Sequence, residues 1–502
     1  MNRPKIVGWA ARFCPPAIGG NGGQKSVAHP TQAALLITLP LLLSGCGIKG
    51  GWLTTVGSEY QAPTPPTEKQ WQAPPPALAH QGKLTELARW WEQFHDPVLN
   101  RLLAAAQAES ADVANAKARI EQARASLIGT DSQFLPNVDG GLSSSRSSFS
   151  FGQAPFIRNQ HQVSLQSSWE IDLFGGLARQ QQAALSQLAS RTAAWHEARV
   201  AVAAELANAY LAQRYCEAQV QLRQHDADSR QASAKLLDLA ASAGLRNSAD
   251  VALAHASASD GKTALWQQQA QCDRSVKSLV AMTGLAEKDL RQLLAQGTAS
   301  LPKPPAFAIN AVPAQTVLQR PDVAAAERDM AEASAKIGAE QAKRYPKLSL
   351  SGNITPVLQN VNGSALTLAE TWAFGPSLSL PLFDAGKRAA NVEAAKADYT
   401  AAVVQFRAKV RTAAKEVEDA LVRLVSVNQR LPQTISAAKN YQTNFKSSQQ
   451  LYQAGLGNLL DTESARRTQV AADLAVKDLE QERVAAWIAL YRAVGGGWQA
   501  QK

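Results

Sequence analysis

The chain is written twice. Ala243-Gly244-Leu245-Arg246-Asn247-Ser248-Ala249-Asp250 returns as Ala454-Gly455-Leu456-Gly457-Asn458-Leu459-Leu460-Asp461, at an offset of 211. Asp112-Val113 and Leu135-Pro136 return as Asp322-Val323 and Tyr345-Pro346 at 210, and Leu173-Phe174-Gly175-Gly176 returns as Leu382-Phe383-Asp384-Ala385-Gly386 at 209. Landmarks that keep their order at one offset mark a tandem duplication. The joint is the Pro-rich stretch Leu301-Pro302-Lys303-Pro304-Pro305, followed by Pro313. Any fold must therefore be one supersecondary unit built twice.

Each half carries the same plan. A helix (97–130, then 320–343) leads into two strand-like segments, and these lead into two long helices. Alternation at Val163, Leu165, Trp169 and Ile171, and at Leu378, Leu380 and Leu382 with Leu348 and Leu350 before them, predicts short strands within 134–172 and 346–382. Polar Gly/Ser/Asn-rich stretches at 145–161 and 355–371 predict hairpin loops between them. From Gly176 to Ala241 and from Gly386 to Gln453 the text is helical with Pro432 its one proline; each run of about 66 residues spans roughly 100 Å. Val403, Phe406, Val410, Ala413, Val417, Ala420, Leu424, Val427 and Leu431 recur every three and four residues, the spacing of coiled-coil packing. Return helices at 247–283 and 458–494 predict two long antiparallel hairpins. With Gly244 as the first tip, Cys216 and Cys272 lie 28 residues on either side of it. An antiparallel pair puts them level, so they form a disulfide if their Cα atoms come within about 7 Å, the alternative being two buried free thiols.

The start of the chain is of another kind. The apolar run Ala33 to Leu43 ends in Ser44-Gly45-Cys46, the form of a bacterial lipoprotein signal cleaved before a Cys that carries lipid. The run is too short for a transmembrane helix of about 20 residues. Gly47, in place of an Asp at the second mature position, favours outer-membrane sorting, and the long stretch before Ala33 sets the expected translation start downstream of Met1. The expected organisation is a signal peptide 1–45, a lipidated extended segment 46–96, a first repeat 97–300, a joint 301–319, a second repeat 320–498 and a tail 499–502.

Composition removes other classes. A net charge of +10 over 502 residues is spread without a basic run, which argues against nucleic acid. The seven His fall singly, no phosphate-cradling glycine loop or nucleophile elbow is present, and Met occurs only at positions 1, 282 and 330. No enzyme, metal site or cofactor is expected. Past the signal no apolar stretch reaches 18 residues, so strands must do any membrane crossing. Four strands cannot close a barrel, and membrane barrels begin at about eight, so several copies must combine.

With these landmarks in place the chain resembles the TolC family of outer-membrane channels, in its NodT-type lipoprotein branch. The resemblance rests on Cys46, Val56-Gly57-Ser58-Glu59-Tyr60-Gln61-Ala62-Pro63, Trp90-Trp91-Glu92-Gln93-Phe94-His95-Asp96-Pro97, Arg320-Pro321-Asp322, Leu380-Pro381-Leu382-Phe383-Asp384-Ala385-Gly386 and the terminal Leu490-Tyr491-Arg492-Ala493-Val494-Gly495-Gly496-Gly497-Trp498. It implies a mainly α fold with a small membrane β-barrel: a homotrimer with twelve strands, anchored in outer-membrane lipid and extending into the periplasm. The implied partners are a periplasmic adaptor and an inner-membrane transporter. The implied function is a passive duct of a tripartite pump for small toxic molecules, with the exit duct of a type I protein secretion system as the alternative; a poreless coiled-coil lipoprotein conflicts with the duplicated strand pairs. The resemblance also places a periplasmic gate at Tyr452, Asp461 and Leu460, with Gly244, Leu245, Gly455 and Leu456 as hairpin tips touching the adaptor. Ser464 stands where members often carry a second acid, and Gly457 where some carry a basic residue. Asp461 and Asp250 also suit the first turn of a helix on capping grounds alone.

The lipobox predicts that Cys46→Ala leaves the mature chain without acyl groups and poorly retained in membranes. Intact-mass analysis of membrane-extracted protein checks it, and an unmodified Cys46 thiol would contradict it.

Overall fold

The computed structural model describes residues 50–64, 71–73, 84–150, 152, 155–297 and 313–498. Cys46, the segment 1–45, most of the joint and the tail lie outside the described residues.

After a 3₁₀ helix at Leu84–Phe94, the first half runs α1 (Pro97–Glu109), α2 (Ala111–Asp131), β1 (Asn137–Phe149), β2 (Phe156–Ile171), α3 (Gly176–Ser242), α4 (Ser248–Thr283) and α5 (Glu287–Ala295). The second half runs α6 (Pro313–Leu318), α7 (Pro321–Ala342), β3 (Lys347–Val361), β4 (Thr367–Ser379), α8 (Lys387–Gln453) and α9 (Leu459–Ala493). The helix expected over 97–130 is two helices. Ser110 interrupts it in an extended conformation (φ −64°, ψ 120°), its N–H closing α1 on the Ala106 carbonyl and its Oγ accepting from Val113 N of α2. A serine side chain competes with the helix backbone in this way and so favours caps over interiors.

α3 and α8 each run 67 residues, about 100 Å. α8 continues through Pro432, which the length of its packed face outweighs. From Phe406 to Leu431 the heptad positions named above are buried, whereas Val403 is half-buried. α4 returns along α3 and α9 along α8, giving two antiparallel hairpins, and α3 also packs on α7 and α9. Halfway along, Cys216 and Cys272 are joined as a disulfide with Cα atoms 5.5 Å apart.

The strands form one antiparallel sheet in the order β1-β2-β3-β4. They are 13 to 16 residues long, more than short, because much of the polar stretches expected as loops is paired: Ser145 to Ser148 face Gln160 to Ile157, and Val357 to Gln359 face Ala369 to Thr367. Polarity signals a loop in a globular protein, but here one strand face meets water. Opposite Val163 and Ser164 the β2–β3 register is interrupted at Pro356, which has no N–H to give.

The mid-section holds the core, and three of the sequence marks, Trp90 to Pro97, Arg320 to Asp322 and the terminal Leu490 to Trp498, converge there. Trp90 is 1% exposed and stacks on Tyr491 at 4.8 Å, with Trp91 edge-on to the same ring. Burial pushes the Tyr491 hydroxyl up to about 12. Asp96 caps α1, its Oδ1 accepting from Val98 N and Leu99 N while its Oδ2 accepts from Tyr210 Oη at 2.6 Å. Arg320 forks onto Asp322 and reaches Glu416 and the Ala493 carbonyl, which ties the head of α7 to α8 and to the end of α9.

The described part of the N-terminal segment is a strap. Trp52 N and Leu53 N donate to the Asp172 and Leu173 carbonyls, and Val56 N to Phe174 O; Arg179 holds the Val56 and Gly57 carbonyls. Further on, Tyr60 Oη donates to Glu327 Oε1 at 2.6 Å, and Gln72 N and Ala73 N to the Glu418 carboxylate. The strap thus crosses from the first repeat to the second.

Closing a loop across the 56 residues between Cys216 and Cys272 removes unfolded-state entropy worth about 4 kcal/mol. Non-reduced, unfolded protein should leave both thiols unlabelled by an alkylating reagent, and Cys216→Ser with Cys272→Ser should lower the thermal midpoint of the helical signal. Full labelling of both cysteines without reductant would contradict the bridge.

Candidate functional site

Register divides the sheet into two faces. Leu142 opposes Val163, Leu165 opposes Ile354, and Ile354 opposes Trp372, so all these side chains share one face with Val138, Trp169, Leu350, Leu368, Phe374 and Leu378. The opposite face carries Asp139, Ser143, Ser145, Gln160, Gln162, Gln166, Asn353, Thr355 and Thr371. In the single chain the apolar face stands open, with Leu142 82%, Trp372 77% and Phe374 72% exposed. A strand apolar on alternate residues and polar between them fits lipid on one side and a watery lumen on the other. Among the described residues no helix is long and apolar enough to cross a membrane. The strands begin and end at the helices, so the polar face continues into the helical shaft.

At the other end of the shaft lie the two hairpin tips. Gly244 and Gly455 turn the chain at φ 73° and 75°, left-handed values that a side chain would resist, in the positions where long helices end. Leu245 and Leu456 follow, 75% and 79% exposed. Asn247 and Asn458 then cap the return helices, accepting from Asp250 N at 2.8 Å and from Asp461 N at 2.7 Å. Asp461 is therefore a first-turn residue on capping grounds, and its exposed carboxylate also accepts from Asn458 Nδ2 at 2.7 Å. Leu460 is exposed beside it. Tyr452 instead packs sideways: its ring lies 4.9 Å from the Arg246 guanidinium and against the cluster of Ala234, Leu237, Ala254, Ala258 and Leu459. The tip of the second hairpin leans on the first through this cluster. Ser464 is exposed, whereas Glu463 turns inward and is 3% exposed.

Glu463 belongs to a buried ionic network that reading the sequence did not find. Its Oε1 lies 2.9 Å from Arg466, and its Oε2 accepts from Ser257 Oγ at 2.7 Å. Arg230 donates to Ser257 and to Asp226, and Arg466 donates to Ser233. Burial pushes the Arg466 guanidinium below its usual range against the neighbouring Glu463. The signal available in the sequence was Gly261: a Cβ there would come within 2.8 Å of Arg230 Cδ, so this mid-helix glycine clears the path of the arginine. The network fastens α9 to the first hairpin about two turns above the tip. Among the described residues no group of three or more His, Cys, Asp and Glu side chains is placed to hold a metal ion.

Comparison with known proteins agrees with this architecture. The chain is 27% identical over 479 residues to the solvent efflux pump outer membrane protein SrpC of Pseudomonas putida, covering 92% of this chain and 97% of that protein. It is 29% identical over 473 residues to nodulation protein T of Rhizobium leguminosarum bv. viciae, covering 92% and 93%. Its fold superposes on the outer-membrane channel OprN with a TM-score of 0.78 at 26% identity, over 88% of this chain and 99% of that one. The family described as outer membrane efflux protein matches residues 102–285 and 312–496, one stretch in each repeat. The chain belongs to the outer membrane efflux protein family.

Proposed function

We propose that three copies of this chain close a twelve-strand barrel in the outer membrane and form, with their helical hairpins, a passive duct that carries small toxic molecules out of the cell for a tripartite efflux pump. The observation that carries this reading is the two-faced sheet of four strands, open at β1 and β4 and continuous with helices of about 100 Å. The duct does no chemistry of its own. Energy comes from an inner-membrane transporter, reached through a periplasmic adaptor that touches the exposed tips at Gly244, Leu245, Gly455 and Leu456. Relatives named for solvent and toluene efflux favour small molecules over secreted proteins as cargo.

Cys46 carries the lipid in this reading. The form of Leu43-Ser44-Gly45-Cys46 after an apolar run supports it.

The gate is at the second tip. Three copies of Asp461 and Leu460 around an axis make a narrow ring of carboxylates with an apolar collar, attracting cations and repelling anions. Tyr452 belongs to the same gate, and its contact with Arg246 braces the tip that carries the ring. Asp461→Ala should raise single-channel conductance in planar bilayers and weaken cation selectivity, and Leu460→Ala should raise conductance alone. Unchanged currents in both variants would place the constriction elsewhere.

A further inference from the structure

Two charges stand out on the apolar face of the sheet. That face carries Val138, Leu142, Val163, Leu165, Trp169, Leu348, Leu350, Ile354, Leu358, Leu368, Trp372, Phe374 and Leu378, and by the same alternation Arg146 on β1 and Glu370 on β4. No other Asp, Glu, Lys or Arg of the four strands falls on it. The two are opposite in sign, and each lies on an edge strand, so within one chain they stand on opposite sides of the sheet. Both are exposed. An ionisable side chain facing lipid is costly and is retained where it finds a partner.

Their heights agree. Arg146 comes nine residues after Asn137, where β1 leaves the helices, and Glu370 comes nine residues before Ser379, where β4 returns to them. The strand ends also step across the sheet: Asn137 is level with Ser168, Ser351 and Gly375, four residues short of the end of β4 at Ser379. Continuing that stagger, the tilt of a closed barrel, brings the next copy's β1 against β4 with Arg146 opposite Glu370 or one alternate residue away, within reach of an arginine. The backbone agrees as well. Ile157, on the apolar face of β2, exchanges hydrogen bonds with Asn362 on the β3 side; apolar-face residues of β1 and β4 accordingly turn their N–H and C=O outward to the open edges.

We propose that Glu370 forms an ion pair with Arg146 of the partner subunit on the lipid-facing side of each seam, and that this pair fixes the register in which β4 of one copy meets β1 of the next. The inference rests on the reading that three copies close one barrel. A slip of two residues along the seam would keep the faces correct and so is not excluded by hydrophobic pattern. It would change the pair from direct opposition to a diagonal of about 7–8 Å or lengthen it further, which makes the pair the element that favours one stagger.

The test uses the full chain purified in detergent, with trimer followed on native gels through a heating series. Arg146→Glu and Glu370→Arg should each lower the heat-resistant trimer fraction by about tenfold, and the chain carrying both should recover it. Independently, Glu370→Cys combined with Arg146→Cys should link into covalent trimers with a short bis-maleimide reagent, whereas Glu370→Cys with Leu142→Cys should link poorly. Single variants as stable as the parent, a double variant no better than the singles, or preferential linking at Leu142 in a chain that is still trimeric would overturn the pair and leave the barrel standing. A parent chain that never exceeds a monomer would overturn both.

Discussion

Backbone hydrogen bonding at the two edges of a four-stranded sheet governs the rest of this molecule. β1 and β4 are 13 residues each and pair on one side only. Alternate residues leave about six N–H and six C=O groups per edge without a partner. In hydrocarbon each unmet group costs several kcal/mol, so the total far exceeds the net stability of about 5–15 kcal/mol that folding leaves to a protein. Such a sheet cannot rest in lipid alone. Closure with other copies removes the edges, and from closure follow a lumen, its polar lining and its apolar coat.

The helices solve a different problem. Among the described residues none is long and apolar enough to cross a membrane, and their small residues let α3, α4, α7, α8 and α9 pack closely over the length of the shaft. Rigidity is concentrated where the repeats meet. Arg320, the Trp90–Tyr491 stack and Asp96 with Tyr210 bind the mid-section, and the strap from Trp52 to Ala73 ties the base of the sheet to α8. Near the tips the apolar cluster around Leu459 is joined by the network of Asp226, Arg230, Glu463 and Arg466. A buried charge network holds one geometry strongly and loses much of its hold once a partner moves.

What was legible in the sequence was periodic. A duplication, helices of about 100 Å, the level placement of Cys216 and Cys272, and glycine tips followed by the first-turn acids Asp250 and Asp461 all follow from spacing that chain geometry enforces locally. What was not legible depended on solvent or on distant partners. The polar stretch from Ser145 reads as a loop because its few apolar residues give no alternation, and only pairing with β2 shows that it is strand. The break at Ser110 is decided by one hydroxyl choosing Val113 N over the helix. Nothing near Glu418 announces that its carboxylate receives two backbone N–H groups from residues more than 340 positions away. Glu463 and Ser464 are neighbours in the text, yet only the fold tells which faces inward.

Amide hydrogen exchange on the membrane-extracted protein, resolved strand by strand, tests edge closure most directly. If copies of the chain close the sheet, backbone amides in β1 and β4 that point away from their own sheet exchange as slowly as those of the central ladder between β2 and β3. Outward amides of β1 and β4 exchanging at the rate of the exposed tips at Leu245 and Leu456, while β2 and β3 stay protected, would contradict closure and with it the duct.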